Sequence, residues 1–334
     1  MTSAFLFAAY VALVGQLEPV VGSIRGVVVN ASNNRTPDPN AQVVLRVQLD
    51  GQLAIAAECQ SDELGRFAFE NIPADPDYVY LPGANRDGVH YPSSRITLGP
   101  ENPNSFVVLS THDTLSVDNP LVIRNHDVLI RTDDNSLQVS ETLTIDNPSL
   151  MTYVGQLDNL HNRQTTLSLS IPSNFRRVTF EKEFYGRHFI LFDGRLETEI
   201  PWTPGRRELA FTYVIPIVGQ EIAWKRVVDL PFEHLHITVQ SRTPQKVTCN
   251  SAPPSHPADG TVEFEISGRD SAVGQLIQIE LERKKLELAN YGGFLAIAIL
   301  LALIGISTVI ARSKQNEQIE RTQTSDPARL GKAA

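Results

Sequence analysis

The sequence predicts an all-β protein, with tandem β-sandwich domains followed by one C-terminal transmembrane helix. Three observations carry that reading. Apolar residues recur at every second position, as in Leu209, Phe211, Tyr213, Ile215 and Ile217. Period two marks a strand with one face against a core. Turn residues punctuate these runs, among them Asp193-Gly194, Thr203-Pro204-Gly205 and Ala252-Pro253-Pro254. They belong to tight connections between strands rather than to crossover helices. Finally, residues 294–311 form an uncharged apolar run. Extended back to Tyr291 and wound as a helix, it matches the thickness of a bilayer's hydrocarbon.

In chain order, residues 4–15 come first, an apolar stretch of the length of a signal-peptide core and too short to cross a bilayer. Residues 1–22 are read as a signal peptide, with Val20 and Gly22 ahead of a cleavage point at Ser23. An uncleaved N-terminal anchor is the alternative, because Met1-Thr2-Ser3 supplies no Lys or Arg. Residues 23–110 make a first sandwich. Residues 111–124 make a linker, where Thr111-His112-Asp113-Thr114 breaks the apolar pattern and Asn119-Pro120 adds a turn.

Residues 125–282 make a second β-rich region, either one large sandwich or two small ones divided near Pro253–Pro257. Leu137, Val139, Leu143 and Ile145 alternate here, as do Val262, Phe264 and Ile266. Residues 283–290 are a charged stalk, 291–311 the membrane helix, and 312–334 a polar cytoplasmic tail without the apolar residues a core needs. Arg283, Lys284 and Lys285 before the span balance Arg312, Lys314 and Arg321 after it. The orientation, with the body outside the cytoplasm, therefore rests on the signal peptide.

The net charge is -9. The tail is net positive, so the body is more acidic than the whole. No basic stripe is left to neutralise phosphates, which excludes nucleic acid and argues against adsorption to anionic lipid. The two cysteines, Cys59 and Cys249, are too few to frame a disulfide mini-domain, though outside the cytosol one bridge between them is open. Asn30-Ala31-Ser32 and Asn34-Arg35-Thr36 have the pattern of glycan acceptors.

Three stretches of the first sandwich carry a family likeness: Ile24-Arg25-Gly26-Val27-Val28-Val29-Asn30, Arg35 through Leu45, and Ser61-Asp62-Glu63-Leu64-Gly65-Arg66-Phe67-Ala68-Phe69. Together, residues 24–98 resemble the carboxypeptidase regulatory-like domain. The resemblance implies a transthyretin-like (prealbumin-like) Greek-key sandwich of the carbohydrate-binding-like group, an accessory module rather than an enzyme. The run Val139 through Pro148, with Thr152 to Gly155, resembles uncharacterised bacterial envelope proteins that follow such a domain with a β-rich region and a membrane helix. On residues alone, Asp62 and Gly65 make a tight turn, and Phe67 and Phe69 anchor a core.

Catalytic signatures are missing from the sequence: no Gly-x-Ser-x-Gly, no His-Glu-x-x-His, no Gly-x-x-x-x-Gly-Lys. No catalytic residue and no cofactor is assigned. His234 and His236 share a strand face and are the weak metal candidates. Loop carboxylates at Asp75 and Asp77, and along Arg131 to Asn135, have the chemistry for calcium, but turn formation explains them equally. Glu141 falls on an apolar face and needs a partner, such as Arg176, Arg177 or Arg206, or a sheet edge to guard. Tyr78, Tyr80, His90 and Tyr91 are the candidate ligand platform, with Trp202 and Trp224 further on. The function expected is that of a membrane-anchored, extracytoplasmic binding or scaffold protein of the cell envelope, with a protein or glycan partner. A carbohydrate-binding surface protein and a hydrolase with its site in residues 120–282 are the alternatives.

Overall fold

The computed structural model describes residues 20–133, 135–158, 163–181, 188–218, 222–241, 246–258, 260–282 and 289–323. Most of the expected signal peptide, most of the stalk (283–288), Asp134, and the end of the tail (324–334) lie outside them. Residues up to Glu282 form one compact unit, and those from Arg283 a second.

The described residues of the first unit are built of strands, with one 3-10 turn at Gly268–Asp270, and hold two hydrophobic cores. Over residues 20–111, one sheet is built on the strand Val21–Asn30. It pairs antiparallel with Thr36–Pro37 and Arg66–Pro73, and parallel with Asn104–Thr111. The other sheet runs Gln52–Gln60, Gln42–Leu49, Val79–Arg86, Val89–Pro92, with Ile96–Thr97 also on Val79–Arg86. Ile24, Val28, Val43, Leu45, Phe67, Phe69, Tyr80 and Leu109 fill the space between them.

Local chemistry sets the tightest turn. The Asp62 carboxylate accepts the N–H groups of Leu64 and Arg66 at 2.9 and 2.7 Å. Gly65 takes φ 72°, and a Cβ there would meet the Val28 carbonyl oxygen at 2.4 Å, so a side chain has neither the conformation nor the room. Past the turn, Phe67 and Phe69 go inward with rings edge-on at 5.9 Å, while Arg66, Ala68 and Glu70 stay exposed. The cleavage point expected at Ser23 falls inside a strand, since Val21 and Gly22 already pair with Pro73 and Ile72.

Residues 111–124 are tied down on both sides. Thr111 ends a strand of the first sandwich, Thr114–Leu115 pairs with Thr152–Tyr153, and Val122 opens the next long strand. Beyond it, a seven-stranded sheet runs Arg176–Phe180, Gly205–Pro216, Ser136–Asn147, Val122–Thr132, Phe232–Ser241, Thr261–Ser267, Ser255–Ala258. Two three-stranded sheets accompany it: Leu167–Ser170, Arg195–Thr198, Ile190–Phe192, and Ile222–Val227, Leu276–Glu282, Lys246–Cys249. One hydrophobic cluster, from Leu121 to Leu281, joins all three and encloses Trp202 and Trp224. The second region therefore has one core. The Pro253–Pro257 stretch leads into an edge strand of the large sheet instead of dividing two modules. Cys59 and Cys249 are free thiols, each packed against a different core.

The second unit contains the helix α1, Ala289–Gln323. It continues twelve residues past the apolar run's last residue, Ala311, into the segment expected as a polar tail. Lys, Gln, Glu and Arg are good helix formers and explain the continuation. Side chains of α1 are described for 296–312 and 314. Over the described residues, no helix is long and apolar enough to cross a membrane.

Gly26 marks a close approach within the first sandwich. A Cβ there would lie 2.1 Å from the Val107 carbonyl oxygen and 2.6 Å from the Phe67 ring. Gly26→Ala is expected to cost about 1–3 kcal/mol by forcing strand and ring apart, read as a lower urea midpoint at unchanged m-value.

Candidate functional site: an ion network inside the second sandwich

Three strands each bring an ionisable residue in among apolar neighbours. On Ser136–Asn147 it is Glu141, amid Leu137, Val139, Leu143 and Ile145. On Val122–Thr132, a bulge between Ile123 and Asn125 resets the register, so that His126 points inward with Val128 and Ile130. On Ile222–Val227 it is Arg226, inward with Ile222 and Trp224. Cross-strand register brings the first two together: His126 pairs with Leu143 and Tyr213 with Val139, so both are diagonal neighbours of Glu141 on the same face. Arg226 reaches in from one of the smaller sheets.

The carboxylate of Glu141 is 1% exposed and saturated with donors. Its Oε1 accepts the Tyr213 hydroxyl at 2.6 Å. Its Oε2 accepts His126 Nε2 at 2.9 Å and Arg226 Nε at 3.2 Å. An ionised carboxylate only accepts, so the imidazole carries its proton on Nε2. The Tyr213 oxygen in turn accepts the Trp224 indole N–H at 2.8 Å. Arg226 extends the network to Asp229 at 2.6 Å, and donates to the backbone oxygen and the hydroxyl of Ser170. Asp229 also accepts the Ser170 N–H at 2.9 Å and Arg195 at 2.7 Å. Strands from all three sheets of the sandwich are thereby bonded through Arg226 and its two carboxylates.

The charges balance: Glu141 and Asp229 against Arg226 and Arg195. Burial alone would raise the Glu141 pKa, but Arg226, together with hydrogen bonds from His126 and Tyr213, outweighs it and holds the carboxyl at about 2. Burial raises the Tyr213 phenol well above its ordinary 10, and the adjacent Glu141 charge adds to this. Burial works against the Arg226 charge, and Glu141 with Asp229 reverses it, so that its pKa rises. With Glu141, Arg226, Tyr213 and Trp224 all at 4% exposure or less, a solute in water touches none of them. The network's chemistry is cohesive: it fixes the sheets against one another. It reaches solvent at Arg195, whose side chain is 39% exposed.

A second polar cluster joins the two sandwiches. Arg86 bridges Asp38 at 2.5 Å and Asp113 at 2.7 Å. Asn30 donates to Asp113 at 2.9 Å, and Thr111 to Asp38 at 2.6 Å. The Tyr91 hydroxyl donates to the His112 carbonyl oxygen at 3.0 Å and lies 2.9 Å from the Thr152 hydroxyl. Desolvation disfavours the Arg86 charge, but Asp38, Asp113 and Asp87 raise its pKa.

The four residues expected as a ligand platform do not form one. Tyr80 and Tyr91 are core residues, 2% and 4% exposed, because the strands Val79–Arg86 and Val89–Pro92 turn them inward. The Tyr80 hydroxyl donates to the Pro73 carbonyl oxygen at 2.8 Å, and burial, with Tyr78 and Asp75 nearby, pushes its pKa up to about 12. Tyr78 and His90 are half-buried. His90 is held against Asn85 at 2.7 Å, and burial, with Arg46, lowers its pKa. Among the described residues, no group of three or more His, Cys, Asp or Glu is arranged to hold a metal. His234 is exposed, and His236 lies 3.8 Å from both Asp127 and Glu263. Asp75 caps its own turn through the Asp77 N–H, whereas the 131–135 loop includes a residue outside the described set. Asn30 is buried and bonded, while Asn34 is exposed. Trp202 and Trp224 are both fully buried.

The partner expected for Glu141 was also a different arginine. Arg176, Arg177 and Arg206 are exposed, and the Glu141 strand lies inside the sheet, not at its edge. The signal for Arg226 was present in the alternation Ile222, Trp224, Arg226, Val228, a basic residue in apolar phase.

Arg226→Met is expected to cost about 3–5 kcal/mol, because it leaves two buried carboxylates short of a cation. Pairing it with Glu141→Leu is expected to recover most of that loss in a double-mutant cycle of urea midpoints. The Glu141 pKa lies below its ordinary 4.5. Its contribution to stability is therefore full above about pH 4.5 and is lost as pH falls from there toward 2. Melting temperatures measured from pH 6 to 3 are expected to fall more steeply for the native chain than for Glu141→Gln.

No protein-family model matches the chain, and no curated protein matches it. Among solved structures, a 9R-lipoxygenase from Cyanothece is similar over 27% of this chain and 16% of its own, at 11% identity and a TM-score of 0.21. A likeness that short and that loose carries no argument about fold or activity.

Proposed function

We propose that the protein is an anchored scaffold of the cell envelope, a β-sandwich body held outside the cytoplasm by a membrane helix and presented to a protein partner. The supporting observation is the helix surface. Ile297, Leu300, Leu301, Leu303, Ile306 and Val309 are each more than half exposed. At 3.6 residues per turn these six are spread over the whole circumference. A helix apolar on every side is at home in hydrocarbon or among other helices, not in water. The described side chains, 296–312, are short of a full span. Uncharged sequence back to Tyr291 brings the run 291–311 to about 30 Å at 1.5 Å per residue.

The body favours binding over catalysis. The Glu141–Arg226–Asp229 cluster within it is buried and used to join sheets. The first sandwich is inferred to be of the carboxypeptidase regulatory-like kind on its Asp62–Phe69 hairpin, and that resemblance also points to an accessory module. A protein partner is favoured over a glycan because Tyr80 and Tyr91 turn away from solvent.

The full chain, expressed in cells, is expected to sediment with membranes, to resist carbonate extraction and to dissolve in detergent. Protease added to intact cells is expected to digest the body and spare a tag placed after Ala334. Full-length protein in the supernatant without detergent, or a protected body beside a digested tag, overturns the proposal. Leu301→Lys with Ile304→Lys is expected to reduce the membrane fraction several-fold.

A further inference from the structure

Among the described strands of eight or more residues, three have a neighbour on one side only: Gln52–Gln60, Arg66–Pro73 and Asn104–Thr111. The first carries Glu58, and the second carries Arg66 and Glu70. Such charges keep open edges from pairing with other chains. The third reads Asn-Ser-Phe-Val-Val-Leu-Ser-Thr, without charge, proline or glycine. Phe106 and Val108 stand on its outer face, 67% and 43% exposed.

The backbone of this strand is ordered by its inner neighbour. The Pro103 carbonyl oxygen accepts Ser23 N–H at 3.0 Å, and the Thr111 oxygen accepts Ala31 N–H at 2.8 Å. Odd-numbered residues therefore turn their peptide groups toward Val21–Asn30. Asn104, Phe106, Val108 and Ser110 turn theirs to the open side.

We propose that this edge pairs with the same edge of a second copy, antiparallel about a two-fold axis through Val107. That register is the one in which the strand complements itself. Phe106 of one copy faces Val108 of the other, and Asn104 faces Ser110, each pair exchanging two hydrogen bonds through the groups left open. Phe106 against Val108 is an aromatic–β-branched pair on the outer face. On the inner face the two Val107 residues meet as a non-hydrogen-bonded pair, extending the apolar layer from one copy's core to the other's. The contact is isologous and closes on itself, so it yields a dimer and not a fibre. It is independent of the membrane reading, since no residue of α1 takes part.

The test is a cross-link in the full chain, purified in detergent with Cys59→Ser and Cys249→Ser. In a non-hydrogen-bonded pair, Cβ atoms lie about 4.5–5.5 Å apart, near disulfide reach. Val107→Cys is expected to give a covalent dimer under mild oxidation. Phe106→Cys, out of register with itself, and Ile55→Cys, on a different edge, are expected to give none. Adding Phe106→Lys and Val108→Lys to Val107→Cys is expected to abolish the cross-link. Both positions are exposed, so the fold is retained, which circular dichroism checks. No dimer from Val107→Cys overturns the proposal, as do equal yields from Phe106→Cys or Ile55→Cys, or a cross-link that survives the two lysines.

Discussion

Arg226 is the residue on which the larger sandwich depends. It sits at 4% exposure between Glu141 and Asp229, carries the cation that both carboxylates need, and belongs to a different sheet from Glu141. Burying charge is costly in an apolar layer and is tolerated only when every charge has a partner and every partner is satisfied. That condition constrains geometry more sharply than hydrophobic packing does. Leu and Ile side chains accommodate a sheet that slides by an ångström, whereas the bonds to Glu141 at 2.6, 2.9 and 3.2 Å do not. The ion network thus selects one relative placement of the sheets from the many that would bury similar area.

The junction between the sandwiches follows the same logic closer to the surface. Arg86 again holds two carboxylates, Asp38 of the first sandwich and Asp113 of the segment that leads to the second. The backbone pairing of Thr114–Leu115 with Thr152–Tyr153, and the Tyr91 hydroxyl beside Thr152, add bonds that a flexible tether lacks. Modules held through directional bonds present their surfaces at a set spacing. In the proposed dimer the set spacing would extend across both copies.

Much of this was legible in the sequence. Strict alternation at Leu137–Ile145 and Leu209–Ile217 marked strands that the fold contains, because period two has few other causes. The same alternation singled out Glu141 as inward. That Arg226 points inward was legible in the same way, but that it meets Glu141 was not, since it lies 85 residues away and on another sheet. Proximity of that kind is a property of topology, not of pattern. The aromatic group at Tyr78–Tyr91 misled for a related reason. Its residues flank turn-like sequence at Asp75-Pro76-Asp77 and Asp87-Gly88, which suggests a loop, but Tyr80 and Tyr91 fall in inward phase on strands. The edge at Asn104–Thr111 was invisible for want of a neighbour: an uncharged apolar strand reads as an interior one until the pairing is known.

Both tryptophans of the chain, Trp202 and Trp224, lie in the larger core, and both are fully enclosed. The smaller core has tyrosine and phenylalanine but no tryptophan. Indole emission from this protein is therefore a spectroscopic label placed by nature on one half of the body. It will shift when the ion network opens, and it will stay silent if the first sandwich loosens alone. Comparing it with the far-ultraviolet dichroism of the whole chain separates the two halves in a single unfolding experiment, without adding a probe.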